Sequence, residues 1–354
     1  MIPIFYPYVP EEAVTEVTET LRSQWIGQAH KVDKFEKMFG DMFNVRYPIS
    51  LNSGTASLET AYELIGIKQG DEVITTPLTC TATNIPLLRR GAKIVWADIR
   101  KDTLNIDVED VKRKITDRTK AIIQVHLGGV GSDIGSFHIP VVSDACQALG
   151  IFTGDYTCNS FQAIKHITTG DGGMLTVNTE HEYKKAKLIR WFGIDREKKE
   201  KNNWQAYKER KMTFDIEIPG YKWQMTDIAA GMGIAGLRHY KKVIDYRKKL
   251  FDLYKQRLSG LDGIQIVDGD VNVYWMITIL VKNRDSFAKM MWDAGIDTNI
   301  VHIRNDIYKI FGGKRQDLPI MNEVENLYTV LPLHMNITEG DVNYICNTIK
   351  KGWN

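Results

Sequence analysis

The chain has 354 residues, 43% of them hydrophobic, enough for one large domain and a smaller partner, each with its own core. Lys and Arg number 46 against 44 for Asp and Glu, so a formal net charge of +2 gives no general attraction to nucleic acid or to an acidic membrane, and any anion site must be local. The four cysteines (Cys80, Cys146, Cys158 and Cys346) form no CxxC pair, which argues against a disulfide framework or a zinc site and for free thiols in a reducing compartment.

The first residues, Met1 to Pro7, carry no basic n-region, and no apolar window approaches the roughly 20 residues that span a bilayer, so a cytoplasmic protein is expected. Helices are predicted at 10–23 and 32–43, the second with Val32, Phe35, Phe39 and Phe43 at helical spacing. From about residue 45, short β-rich runs alternate with amphipathic stretches, the pattern of an α/β domain with a mostly parallel sheet. The strands are predicted at 47–51, 72–76, 93–97, 121–126, 141–144, 156–161 and 174–177, with helices at 56–65, 108–114 and 180–191. Residues 197–211 form a charged, weakly periodic loop, read either as simply solvated or as lending its lysines and Arg210 to a phosphorylated ligand. A helix at 227–239, rich in small residues such as Ala230, Gly233 and Gly236, lets another backbone approach closely, in the core or at a subunit contact. A basic helix at 241–258 leads into a smaller α+β unit with strands near 264–267 and 273–281 and helices near 286–294, 321–328 and 339–351. The expected domains are 1–240 and 241–354.

The segment Asn159-Ser160-Phe161-Gln162-Ala163-Ile164-Lys165-His166 places a lysine between a strand and the glycine-rich turn Thr168-Thr169-Gly170-Asp171-Gly172-Gly173. Burial disfavours an ammonium and lowers its pKa, which is what makes a lysine a nucleophile. Upstream, Asp144 ends the hydrophobic run Val141-Val142-Ser143, where ligands sit in open α/β sheets. A protonated heteroaromatic nitrogen would compensate that carboxylate, as in a pyridoxal site; a helix cap accounts for the same residue equally well. Ser53-Gly54-Thr55 opens a helix after a strand, and its backbone amides suit a phosphate, although a serine N-cap has the same pattern. His126 closes another strand, as a substrate contact or as a satisfied core histidine. Gly128-Gly129-Val130-Gly131 lacks the complete dinucleotide spacing, and no Walker lysine, HExxH pair or Gly-x-Ser-x-Gly elbow occurs.

Taken in order, Asn52-Ser53-Gly54-Thr55-Ala56, Asp144-Ala145-Cys146-Gln147-Ala148, Ser160-Phe161, Lys165 with its glycine turn, and Leu331-Pro332-Leu333-His334 resemble the sugar aminotransferases of the DegT/DnrJ/EryC1/StrS family. The resemblance runs over nearly the whole chain. It implies the aspartate-aminotransferase fold (fold type I), with a mostly parallel seven-stranded sheet and a smaller C-terminal α+β domain. It implies pyridoxal 5'-phosphate as cofactor, with pyridoxamine phosphate as the intermediate form. By the same resemblance Lys165 forms the Schiff base and shuttles the proton, Asp144 pairs with the pyridine nitrogen, and Gln147 contacts the ring hydroxyl. Ser53, Gly54, Thr55 and Ser160 bind the phosphate. Cys80 stands where many members stack an aromatic residue on the cofactor. Lys222, in Gly220-Tyr221-Lys222-Trp223-Gln224-Met225, replaces an asparagine that reaches the neighbouring subunit's cofactor phosphate.

Arg190 and Trp191 match the family's segment near the sugar pocket, and Arg304 and His126 complete the substrate candidates; no metal is expected. The implied enzyme is a homodimer with shared active sites that passes the amino group of glutamate to a nucleotide-linked 6-deoxyhexose at its C4 ketone, in amino-sugar biosynthesis for a lipopolysaccharide or another surface glycan. The alternatives are C3 amination, a sugar dehydratase and a non-catalytic sugar-nucleotide sensor. The dehydratase branch has histidine in place of the lysine, so Lys165 argues against it although His166 is adjacent, and a sensor needs no proton shuttle.

Overall fold

Apolar residues on both sides of the strands show why the first domain is layered. The structure, a computed structural model, describes residues 1–196 and 215–353, so the charged interval 197–211 lies outside the described residues. Strands β1 (Tyr47–Leu51), β2 (Glu72–Thr75), β3 (Lys93–Trp96), β4 (Thr119–Val125), β5 (Val141–Asp144), β6 (Tyr156–Ser160) and β7 (Gly173–Val177) form a seven-stranded sheet in the order β1-β7-β6-β5-β4-β2-β3. Only β7 runs against its neighbours. Alternate residues feed opposite cores: Val73, Ile123, Val142 and Leu175 join one cluster, while Ile74, Ile122, Val141 and Met174 belong to clusters on the other side. Helices α1 (Glu11–Ser23), α2 (His30–Phe43), α3 (Gly54–Ile65), α4 (Thr81–Arg89), α5 (Val108–Lys114) and α6 (Glu180–Arg190) belong to this part of the chain.

Two differences from the sequence expectation have local causes. Helix α4 is unpredicted because Thr81, Thr83 and the internal Pro86 all read against a helix. The helices expected at 227–239 and 241–258 are one continuous helix, Asp227–Leu258, of 32 residues and about 48 Å. The proposed boundary at residue 240 therefore falls inside a helix that belongs to both units. Its small residues serve packing within the chain: a Cβ on Gly233 would meet the Phe35 ring at 2.7 Å, and one on Gly236 would meet Ile167 at 2.9 Å. Asp227, fully buried, accepts from the N–H groups of Ala29, Lys31 and Val32 and ties this helix to the start of α2.

The C-terminal unit is an antiparallel three-stranded sheet, β8 (Ile264–Ile266), β9 (Ile277–Val281) and β10 (Tyr328–Leu331), in the order β10-β9-β8. It packs with the long helix and the helices Arg284–Asp293 and Glu339–Lys350 around Phe251, Ile279, Phe287 and Ile345. The strand expected at 273–281 is shortened. Its first residues leave the sheet, with Val273 N–H and Met276 N–H bonding the carbonyls of Gly129 and Gly128 in the large unit. Helix Pro319–Val324 ends before Tyr328, which opens β10 and not the predicted helix. Among the described residues, no helix is long and apolar enough to cross a membrane.

Candidate active site

The carboxyl ends of the parallel strands converge on a cavity of about 590 Å³. Its lining includes Ser53, Gly54, Thr55, Cys80, Asp144, Gln147, Ser160 and Lys165, together with Thr83, Trp275, Asp297 and His302.

Helix α3 opens toward this cavity. Ser53, in extended conformation, caps it by accepting from Ala56 N–H at 3.0 Å, and helix geometry leaves the N–H groups of Gly54 and Thr55 without intrahelical partners. A Cβ on Gly54 would stand 2.8 Å from Ser160 Cβ and 2.9 Å from Cys146 Sγ, so only glycine lets this turn close onto the end of β6. Those amides at the positive end of the helix dipole suit a phosphate.

Asp144 ends β5 and is almost fully buried. Its Oδ2 accepts from Thr83 Oγ1 at 2.6 Å and its Oδ1 from Cys146 N–H at 3.1 Å, so both donors are neutral. A buried carboxylate held this way fits a protonated ring nitrogen. Gln147 is locked as well: its Oε1 accepts from Gly128 N–H at 2.8 Å, which turns its amide NH2 toward His302 Nε2 at 3.0 Å. His302 Nε2 must then accept, and burial, with Lys165 nearby, pushes the imidazole down to about 4.

Lys165 sits in the turn between β6 and β7, where its N–H bonds Gln162 O at 2.9 Å. Burial pushes its ammonium below the ordinary lysine value, with Cys146, Cys80 and Asp144 opposing. His166 faces away: its ring donates to Val273 O at 2.7 Å, and burial pushes it to about 3, so the histidine beside the lysine does not reach the cavity.

The four substrate candidates do not gather there. His126 is fully buried; its Nδ1 accepts from Ser132 N–H at 2.8 Å and its Nε2 contacts Ser143 Oγ at 2.6 Å. Ser143 and Asp144 point to opposite faces of β5, which puts His126 on the side away from the carboxylate. Burial holds His126 near 4, against the ordinary 6.5. Between those values the unfolded chain binds more protons, so stability falls as pH falls. From pH 7 to pH 5 this group alone is expected to cost about 2 kcal/mol. Urea unfolding at both pH values checks this: His126→Gln should remove about that much of the pH dependence and leave the parts contributed by the buried His302 and His166.

Arg190, at the end of α6, is buried and donates to Glu36 Oε1 at 2.6 Å and Ser50 O at 3.1 Å, joining α6, α2 and β1. Arg190→Ala removes the counter-ion of the buried Glu36 carboxylate and leaves it only the Ser50 N–H and Oγ–H as donors. The expected loss is about 3–5 kcal/mol of stability with little change in substrate KM; a KM effect at unchanged stability would return Arg190 to the sugar pocket. Arg304 is likewise committed, to Asp306 at 2.7 Å and Glu325 at 2.8 Å. Trp191 packs on Phe192, and Lys222 is exposed with its amine 6.0 Å from the Trp191 ring centroid, so neither lines the cavity. Cys80 does line it, as the N-cap of α4, without an aromatic face. Thr83, Trp275 and His302 belong to no motif; His302 lies two residues before the candidate Arg304, which is the only signal near it in the sequence.

A helix end suited to a phosphate, a buried carboxylate suited to a protonated ring nitrogen and a buried lysine in one crevice are the arrangement that a pyridoxal-phosphate enzyme of the aspartate-aminotransferase fold requires. The chain belongs to the DegT/DnrJ/EryC1/StrS aminotransferase family, whose model matches residues 7–350. It is 30% identical to the spore coat polysaccharide biosynthesis protein SpsC of Bacillus subtilis, covering 99% of this chain and 96% of that protein. It is 29% identical to GDP-perosamine synthase of Escherichia coli O157:H7, covering 99% and 98%. The Spr1654 structure from Streptococcus pneumoniae in its PLP form superposes with a TM-score of 0.89 at 27% identity, covering 99% and 98% of the two chains. The protein is a PLP-dependent sugar aminotransferase.

Proposed function

We propose that this enzyme moves the amino group of glutamate to the C4 ketone of a nucleotide-linked 6-deoxyhexose, in the cytoplasm, toward an amino sugar of a lipopolysaccharide or another surface glycan. The observation that carries the reading is the convergence of Lys165, Asp144, Gln147 and the start of α3 on one cavity. The likeness to a GDP-perosamine synthase supports a nucleotide-linked amino sugar as product. When bound, the cofactor supplies an electron sink for a carbanion.

This chain's residues do the rest. The amides of Gly54 and Thr55, with Ser160, would hold the phosphate, and Asp144, steadied by Thr83, would keep the ring nitrogen protonated. Gln147, fixed between Gly128 and His302, presents an amide to the ring hydroxyl. Lys165 would hold, at its Nζ, the proton that moves between the two reacting carbons. Asp297, from the C-terminal unit, and Asp171, from the lysine turn, line the same cavity and suit sugar hydroxyls. We further propose a homodimer in which Lys222 of the partner subunit reaches the phosphate; the exposure of Lys222 supports this, and Cys80 leaves the ring without an aromatic partner at that position.

Mass spectrometry of reactions with glutamate and dTDP-, UDP- and GDP-linked 3- and 4-ketosugars tests the proposal. The expected result is one aminated product from a 4-ketosugar. Amination of 3-ketosugars alone would move the site to C3, and no product from any of them would overturn the substrate class.

A further inference from the structure

Lys165 belongs to the large unit, yet the surface beneath its amine comes from the C-terminal unit. Its Nζ lies 3.8 Å from the ring centroid of Trp275, which is 1% exposed. That indole is held from several sides. Its Nε1–H donates at 3.0 Å to the carbonyl of Ile164, the residue before the lysine, and Phe5 stacks on it with centroids 5.4 Å apart. The buried guanidinium of Arg247 donates to the Trp275 carbonyl at 2.8 Å and to that of Leu333 at 3.0 Å. Tyr274, immediately before, has φ +56°, a left-handed conformation that a tyrosine keeps only where its surroundings over-determine it. Val273 and Met276, on either side of this pair, bond the 128–129 turn that also fixes Gln147. The chain thus bends out of its sheet at this point to place one aromatic face under the lysine.

We propose that Trp275 is a positioning residue for Lys165: its indole face holds the amine as an ammonium whenever the lysine is not bonded to the cofactor, and so sets the pH at which that amine becomes a base. The inference rests on Lys165 being the proton shuttle of the proposed function. A cation over an indole face is favoured by the ring quadrupole, most where water is excluded. This opposes burial, which pushes the amine the other way. The other groups around the amine are Asp144 at the end of β5, Cys80 at the start of α4, Cys146 after β5, and His302 and His166, both held neutral by burial. Asp171 and Asp297 line the same cavity, and Arg247 is turned to carbonyls behind the indole. With the charge of Asp144 taken up by the cofactor's ring nitrogen, the indole is an uncharged attraction that still favours the ammonium.

The test uses protein loaded with pyridoxamine phosphate, in which the lysine is free. Acetic anhydride labelling across pH, read by mass spectrometry at the Lys165 peptide, gives the midpoint of the amine directly. Trp275→Leu is expected to lower that midpoint by about 0.5–1 unit, and Trp275→Phe, which keeps an aromatic face, by less than half as much. The acid limb of kcat should move with the midpoint while KM for glutamate changes little. A midpoint unmoved in Trp275→Leu, or equal shifts in the two variants, would overturn the proposal. Should Trp275→Leu not fold, the Trp275→Phe shift decides alone: none refutes the role. Wild-type protein that labels normally but fails to transaminate would refute the function while leaving the indole contact measurable.

Discussion

Lys165→Ala is expected to lower transamination by on the order of 10^4-fold, because in the proposed function one side chain both bonds the cofactor and moves the proton. The amine leaves, but the start of α3, the Asp144 carboxylate and the Gln147 clamp all stay, since none of their hydrogen bonds passes through Lys165. The variant should therefore fold, bind cofactor without a covalent link and lack the visible absorbance that depends on the lysine. Absorbance spectra, thermal unfolding and single-turnover assays with glutamate measure the three effects separately. Substantial residual turnover would mean that another group supplies the base, and His166 would not be that group while it stays bonded to Val273 O.

Asp144→Asn is expected to lower kcat by about 10^2- to 10^3-fold, equivalent to roughly 3–4 kcal/mol of transition-state stabilisation, with only a small loss of stability. Asparagine is nearly isosteric, and its amide oxygen can still accept from Thr83 or from Cys146 N–H. What it cannot do is carry the negative charge that keeps a pyridine nitrogen protonated. The electron-sink chemistry weakens while the site remains shaped. Steady-state kinetics beside cofactor titration distinguish this from simple loss of binding: a large fall in cofactor affinity at near-normal kcat would assign Asp144 an anchoring role instead.

The residues that could be read from the sequence share one property. Lys165, Asp144 and Ser53-Gly54-Thr55 each sit in a short contiguous segment where a strand ends and the chemistry begins, so local order places them. Arg190, Arg304 and His126 occupy similar local positions, but their partners are remote or hidden by side-chain alternation. Arg190 meets Glu36, 154 residues away, and His126 meets a serine on the opposite face of β5 from Asp144. A buried charge or imidazole takes the partner that satisfies it, and its neighbours in sequence do not show whether that partner is substrate or protein. Thr83 is not legible in the sequence because α4 is not: a proline inside the helix and β-branched residues at its start hide the turn that hands a hydroxyl to Asp144.

Period-two and helical patterning, with the order of a few short motifs, were enough to lay out the strands of the sheet and nearly all the helices around it, and to single out Lys165, Asp144 and Ser53-Gly54-Thr55, which the fold brings to one cavity. Those features depend on backbone geometry over a few residues. The floor of the site depended on the folded chain: Trp275 under the lysine, His302 against Gln147, and three expected substrate residues turned to structural partners. Each of these contacts joins segments far apart in the chain. Their formation is governed by which buried groups must satisfy one another when the C-terminal unit closes on the sheet, and no local pattern encodes that.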